Sequence, residues 1–200
     1  MTKLLSFAFL FFFSLNSAYS FDKIANSLNE GGKIIFIRHS LAPGNGDPPN
    51  FTLDECSSQR NLNSVGIEQS IQIGIFFSKL KVPIDTVLTS EWCRCIDTAK
   101  YAFDGFKTFK PLNSFYDSRF AKYKKQQILE LDAFLNNWNN NNKNLILITH
   151  YVVIMEVLGI PTDSGEIIIV DKSLNLEASI KSIRNFNNLI KAEKFEVNFY

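Results

Sequence analysis

The sequence predicts an α/β fold: a three-layer α/β/α arrangement around a mostly parallel central sheet, with an antiparallel edge strand. Three observations predict it. Two short runs, Ile34-Ile35-Phe36-Ile37 and Leu145-Ile146-Leu147-Ile148, are continuously apolar and rich in β-branched residues, the mark of strands buried on both faces. Segments with helical apolar spacing alternate with the strand-like runs, which implies right-handed helical crossovers and a sheet covered on both sides. A chain of 200 residues, 46% hydrophobic and 20% charged, is long enough to bury a full core, and no repeat or linker divides it.

The elements follow in order. Residues 1–20 stand apart from the fold. Lys3 precedes a run from Leu4 to Leu15 that is apolar except for Ser6 and Ser14, and Ala18-Tyr19-Ser20 puts small residues at the two positions a signal peptidase reads. We expect a signal peptide cleaved after Ser20, a secreted or periplasmic protein, and a single domain over residues 21–200. The apolar run is short for a membrane span, and no cysteine follows the cut to carry a lipid, so no stable membrane insertion is expected after cleavage. Phe21 to Leu28 reads as a short helix, broken by Gly31-Gly32 before a strand from Lys33 to Ile37. A loop from Ser40 to Asn61 follows, holding Pro43, Gly44, Gly46, Pro48 and Pro49; loops of this length in compact domains are usually functional.

Asn63 or Ser64 starts a helix with Val65, Ile67, Ile71, Ile75 and Phe76 near helical spacing. Beyond Pro83, Thr86-Val87-Leu88 is a strand, and a helix beginning near Glu91 covers Cys95, Ile96, Ala99 and Ala102. Gln126 to Trp138 is a further helix, ended by the asparagine run Asn139 to Asn142. The strand ending at His150 leads into a helix from Val152 to Leu158, and Glu166–Val170 with Leu176–Ile180 forms the closing antiparallel edge.

Composition narrows the function. A net charge of +1 leaves no electrostatic footprint for nucleic acid or an anionic membrane. In an oxidising compartment the three cysteines, Cys56, Cys93 and Cys95, allow one disulfide and leave one thiol over. Cys93 and Cys95 are too close in sequence to pair with each other, so we expect Cys56 to pair with one of them. Metal spacing is absent. The cysteine-phosphatase pattern fails too, because the positions six residues after the cysteines hold Leu62, Ala99 and Tyr101 instead of arginine.

The only two histidines, His39 and His150, each follow one of the buried strands, where open parallel sheets collect their catalytic groups. Arg38 stands beside His39. The segment Ser90-Glu91-Trp92-Cys93-Arg94 puts Arg94 in the first turn of a helix that follows a strand, where a guanidinium fork and helical N–H groups suit a phosphate dianion. A neutral imidazole can attack phosphorus, and fixed cations stabilise the charge that moves onto the equatorial oxygens, with no cofactor or metal required.

These residues resemble the histidine phosphatases, the phosphoglycerate mutase-like superfamily. Its Arg-His-Gly after the first strand is matched by Arg38-His39-Ser40, and its Ser-x-x-x-Arg-x-x-x-Thr-Ala element by Ser90, Arg94, Thr98 and Ala99. The second histidine is matched by Thr149-His150, and Arg60-Asn61-Leu62-Asn63 with Gly66 and Gln69 looks like the stretch opening the family's first long helix. The resemblance spans roughly Ile34 to Val170 and implies a phosphoglycerate mutase-like fold. It also implies that His39 accepts the phosphoryl group, that Arg38, Arg94 and His150 bind it, and that Asn45 touches it. The substrate implied is a small-molecule phosphomonoester; nothing fixes an oligomeric state.

Two departures matter. Ser40 replaces a glycine, and the family's usual glutamate after the Arg94 helix is missing. Asp117 is the nearest acid and is expected to be the proton donor; Asp47, Asp54, Glu55 and Glu91 are rivals. Tyr151 excludes the branch with aspartate directly after the second histidine. Arg60 could reach the substrate from the long loop, with an ordinary loop salt bridge as the default reading, and Asn50-Phe51-Thr52 is a glycosylation sequon if the source glycosylates. The expected function is a secreted phosphomonoesterase. The alternatives are a phosphosugar mutase, disfavoured by export, and a non-catalytic module that binds a phosphorylated ligand.

Overall fold

The computed structural model describes residues 22–139, 141–181 and 197–198. The expected signal peptide and its cleavage after Ser20 lie outside the described residues. A helix over residues 22–30, α1, ends at Gly31, whose φ of 73° lies in the left-handed region and whose N–H bonds the Leu28 carbonyl. A side chain at Gly31 would run into the carbonyl oxygen of Asn142, 2.1 Å from the Cβ position, so the turn also needs glycine for space.

Seven strands form one sheet in the order β3-β2-β4-β1-β5-β6-β7. Their ranges are β1 Ile34–Arg38, β2 Ile84–Thr89, β3 Lys107–Thr108, β4 Asn144–Thr149, β5 Ile167–Val170, β6 Leu176–Ile180 and β7 Val197–Asn198. The first four in space, β3, β2, β4 and β1, run parallel; β5, β6 and β7 add antiparallel pairings. The expected closing antiparallel edge of Glu166–Val170 and Leu176–Ile180 is present as β5 and β6, and β7 pairs beyond it. The helices after α1 are α2 Ser64–Lys79, α3 Cys93–Ala102, α4 Ser118–Ala121, α5 Lys124–Asn137 and α6 Tyr151–Leu158.

Both faces of the sheet are covered, and that explains the unbroken apolar runs. Ile35 and Ile37 of β1 join Ile24 and Leu28 of α1 with Ile73 and Phe76 of α2 in one core. The alternate residues Ile34 and Phe36 join Leu131 and Leu135 of α5 with Val153 and Ile154 of α6 in the other. A strand buried on both sides has no polar face to alternate with. Asn63 caps α2, its side chain accepting from the Gly66 N–H at 2.9 Å, as its place before the apolar-periodic segment predicts. Helix α6 stops at Gly159, with φ 70°.

Strands β2, β4 and β1 are neighbours, so their carboxyl ends bring Ser90, His150 and His39 side by side. The ladder runs one residue further than the strands: the His39 N–H donates to Thr149 O at 2.9 Å, and the Ser90 N–H to Ile148 O at 3.0 Å. His39 is thereby held at the backbone by the sheet itself, through the carbonyl of the residue that precedes His150.

Candidate active site

A cavity of about 350 Å³ opens at these strand ends. Arg38, His39, Asn45, Arg94, Asp117 and His150, the six residues singled out from the sequence, all line it. Two larger grooves, of about 950 and 720 Å³, lie elsewhere and are lined by no histidine or arginine. Size therefore does not pick out the chemistry here; the composition of the lining does.

His39 is 2% exposed, and its Nδ1 lies 2.8 Å from the Ser40 carbonyl oxygen. A carbonyl oxygen only accepts, so Nδ1 carries the proton and Nε2 of the neutral ring keeps its lone pair. Burial, and next the Arg94 cation, hold the imidazole well below its usual range, so the ring is neutral at pH 7. Ser40, the departure from glycine, is accommodated at both ends: its N–H donates to Thr98 Oγ1 at 3.0 Å, and its hydroxyl meets Ser70 Oγ at 2.8 Å. Thr98 in turn donates to the Arg94 carbonyl oxygen at 2.7 Å, so the threonine of the Ser90-to-Ala99 element links α3 to the strand carrying His39.

His150 sits 5.5 Å from His39 between ring centroids, with Trp92 edge-on to it at 5.3 Å. Its Nε2 meets Ser90 Oγ at 2.8 Å, and Ser90 also reaches Asn113 Oδ1 at 3.1 Å. Burial again comes first, and Arg94 second, in pushing this imidazole well below its ordinary value. Asn113 Oδ1 only accepts, so the Ser90 hydroxyl donates to it and His150 donates its Nε2 proton to Ser90 Oγ, which leaves the lone pair of the neutral ring on Nδ1.

The cations reach the cavity from three directions. Arg38 at the end of β1 donates through Nη1 to the Thr162 carbonyl oxygen and lies over the Tyr151 ring, 5.5 Å from its centroid. Arg94, 3% exposed, pairs through Nη1 with Asp47 Oδ1 at 2.7 Å. The Nε atoms of Arg38 and Arg94 are buried with no hydrogen-bond partner among the described residues, so both are free for a ligand's oxygens. The third cation is Arg60, for which the sequence allows reach to the substrate but favours a loop salt bridge. It is tied to the Gly46 carbonyl oxygen through Nε at 2.8 Å, and to that of Ala42 through Nη1, and it lines the cavity. Its place beside the stretch that opens α2 was the available signal.

One N–H group at the start of α3 is already occupied. The Cys93 N–H in the first turn of α3 is taken by Gln59 Oε1 at 3.0 Å, so it adds nothing to an anion site.

The acids differ in their surroundings. Asp117 lies at the cavity but caps α4, and Arg119 grips it through Nε at 3.0 Å and Nη2 at 3.2 Å. Hydrogen bonds from Arg119 lower its pKa below the usual carboxylate value, which counts against the proton-donor role expected from the sequence. Of the rivals, Asp54, Glu55 and Glu91 do not line the cavity; Glu91 accepts from Asn113 Nδ2 at 2.6 Å. Asp47 does line it, and both its oxygens are engaged by donors. Asn45 is an exposed wall residue.

Cys56 and Cys93 form a disulfide across 37 residues, with Cα atoms 5.6 Å apart, and Cys95 is the buried free thiol. The bond pins the loop that carries Asn45, Asp47 and Arg60 to the start of α3.

Solved structures of the same architecture exist. An Escherichia coli protein assigned as an α-ribazole-5′-P phosphatase superposes with a TM-score of 0.53 at 17% identity, over 77% of this chain and 97% of its own. The protein histidine phosphatase SixA, complexed with tungstate, gives 0.52 at 16% identity, over 77% of this chain and 99% of that one. The fold is that of the histidine phosphatases. The α-ribazole phosphatase of Shigella flexneri shares the histidine phosphatase fold as well, with a TM-score of 0.50 at 18% identity, over 70% of this chain and 90% of that one. No family model matches the chain, and no curated protein does.

Proposed function

We propose that this protein is an exported phosphomonoesterase that works through a phosphohistidine on His39. One observation carries the reading most: His39 donates its Nδ1 proton to a carbonyl oxygen, which leaves Nε2 as a lone-pair nucleophile in a cavity with three guanidinium groups. Nε2 attacks phosphorus, the ester oxygen departs, and the Arg38 and Arg94 donors take up the charge on the equatorial oxygens. Water then attacks the phosphohistidine and releases phosphate, restoring the imidazole. The arginines supply the positive charge such a transfer needs, so the reading calls for no metal. The Cys56–Cys93 disulfide agrees with an oxidising destination.

The leaving group is the open part of the chemistry. The two carboxylates in the cavity, Asp47 and Asp117, are both held by arginines, so neither is free to protonate an alkoxide. That favours substrates with good leaving groups, and it makes phosphoramidates a second reading; one neighbour of this fold is named a protein histidine phosphatase.

His39→Ala removes the atom that accepts the phosphoryl group and is expected to lower turnover by about 10³-fold or more. The wild type, treated with labelled substrate and quenched in base, should carry an acid-labile, base-stable label that the variant lacks. A fully active His39→Ala protein ends the reading. Turnover of nitrophenyl phosphate, a sugar phosphate and a phosphohistidine peptide, measured side by side, ranks the leaving groups, and interconversion of phosphoglycerate isomers would instead indicate a mutase.

A further inference from the structure

Asp47 stands in the middle of the long loop, where the sequence marks it only as one of four rival acids. In the structure it is the point at which that loop meets the phosphate end of the cavity. Oδ1 accepts from Arg94 Nη1 at 2.7 Å and from the Arg60 backbone N–H at 3.0 Å, while Oδ2 accepts from Trp92 Nε1 at 3.1 Å. The Asp47 and Arg94 side chains are only 6% and 4% exposed. One carboxylate thus fixes three cavity-lining residues drawn from two segments, the loop and the start of α3.

We propose that Asp47 is the positioning residue that aims Arg94 at the transferring phosphoryl group while anchoring the loop backbone at Arg60, and that it is not the proton donor. An arginine has five N–H donors on a planar fork, so fixing one end sets where the others point. Asp47 holds Nη1 of Arg94, and the Nε on the same fork is buried and unpartnered among the described residues. A carboxylic acid would need a proton on one oxygen and an acceptor to receive it, but every contact made by the Asp47 oxygens is with a donor. The pairing also sets the charge of the site. Arg38, Arg60 and Arg94 against Asp47 leave two positive charges while both imidazoles are neutral, a match for a phosphate dianion; the Asp117–Arg119 pair at the cavity adds none. The inference rests on the phosphatase reading but is tested separately from it.

The test is oxyanion binding and leaving-group dependence in Asp47→Asn, which keeps the shape and removes the charge. Vanadate and inorganic phosphate are the probes, with affinities read by calorimetry, so the measurement survives even if the wild type hydrolyses no ester and the phosphatase reading fails. We expect vanadate to bind about 10- to 100-fold more weakly, with circular dichroism used to confirm that the variant is folded, because partial unfolding would itself raise the apparent dissociation constant. We expect nitrophenyl phosphate and a sugar phosphate to slow by the same factor, because the change acts on the phosphoryl group and not on the leaving group. In an Arg94→Gln background, Asp47→Asn should add no further loss, because Asp47 works through Arg94. Unchanged vanadate affinity, multiplicative losses, or selective slowing of the sugar phosphate each overturns the proposal, the last by making Asp47 an acid. If Asp47→Asn does not fold, Trp92→Phe removes one donor to Asp47 while keeping a ring; vanadate should then bind about 3-fold more weakly, and an unchanged affinity counts against the proposal.

Discussion

His39 and His150 are the residues whose electrostatics bear most directly on activity. Both are buried, and both are held well below the ordinary histidine range by desolvation first and by Arg94 second. A nucleophilic imidazole must be neutral, so the proposed phosphatase activity should persist as the pH falls through 6.5, where a free histidine would already be half protonated. Plots of log kcat/KM against pH for an aryl phosphate check this; an acid limb centred at or above 6.5 contradicts it. Asp117 is the opposite case, a carboxylate kept charged by Arg119. Asp117→Asn is therefore expected to change the rates on alkyl and aryl phosphates alike by less than about 3-fold. Selective loss on the alkyl ester would restore Asp117 as the acid.

At the scale of elements, legibility followed burial. Strands β1 and β4 could be read because both their faces are apolar, and β6 matched its expected bounds of Leu176–Ile180. The two-residue strands β3 and β7 and the four-residue helix α4 are too short to show any period. Of the six expected site residues that converge on one cavity, Arg38, His39 and His150 stand at strand ends, where topology fixes the location, while Arg94, Asn45 and Asp117 reach it from α3 and from loops. Arg60, Asp47 and Trp92 were not read as one site, since contacts between a long loop and a helix start leave no periodic trace. The disulfide shows the same limit. The sequence left Cys56 a choice of Cys93 or Cys95; two residues apart on α3, these point to opposite sides, Cys93 to the loop and Cys95 beneath His150, 3.5 Å from its Nε2. Closing a 37-residue separation should stabilise the fold by about 4 kcal/mol through the unfolded chain. Denaturant titration of a Cys56→Ser, Cys93→Ser protein measures that loss, and no loss would mean the link constrains nothing. The Cys95 thiol, pushed up to about 12 by burial, should stay silent to thiol reagents until the protein unfolds and then count as one.

For the molecule as a whole, the two cores and the site share the same central strands. Ile35 and Ile37 pack on one face of β1, Ile34 and Phe36 on the other, and the strand ends at the Arg38-His39 pair. Burying two neutral histidines at that junction ties global stability to pH. Their folded-state pKa values are depressed, so between those values and 6.5 the unfolded chain binds more protons than the native one. Stability should therefore be unaffected by these groups well above pH 6.5 and fall as the pH drops below it. At pH 5.5 each unfolded histidine is about ten-elevenths protonated, and the two together cost up to about 3 kcal/mol relative to neutral pH. Chemical denaturation at pH 7.5 and 5.5 should show this decline in the wild type and a much smaller one in a His39→Asn, His150→Asn protein. The double variant also controls for the carboxylates, whose own titration is common to both. An equal decline in the two proteins would mean that the histidines are not the groups linking pH to folding.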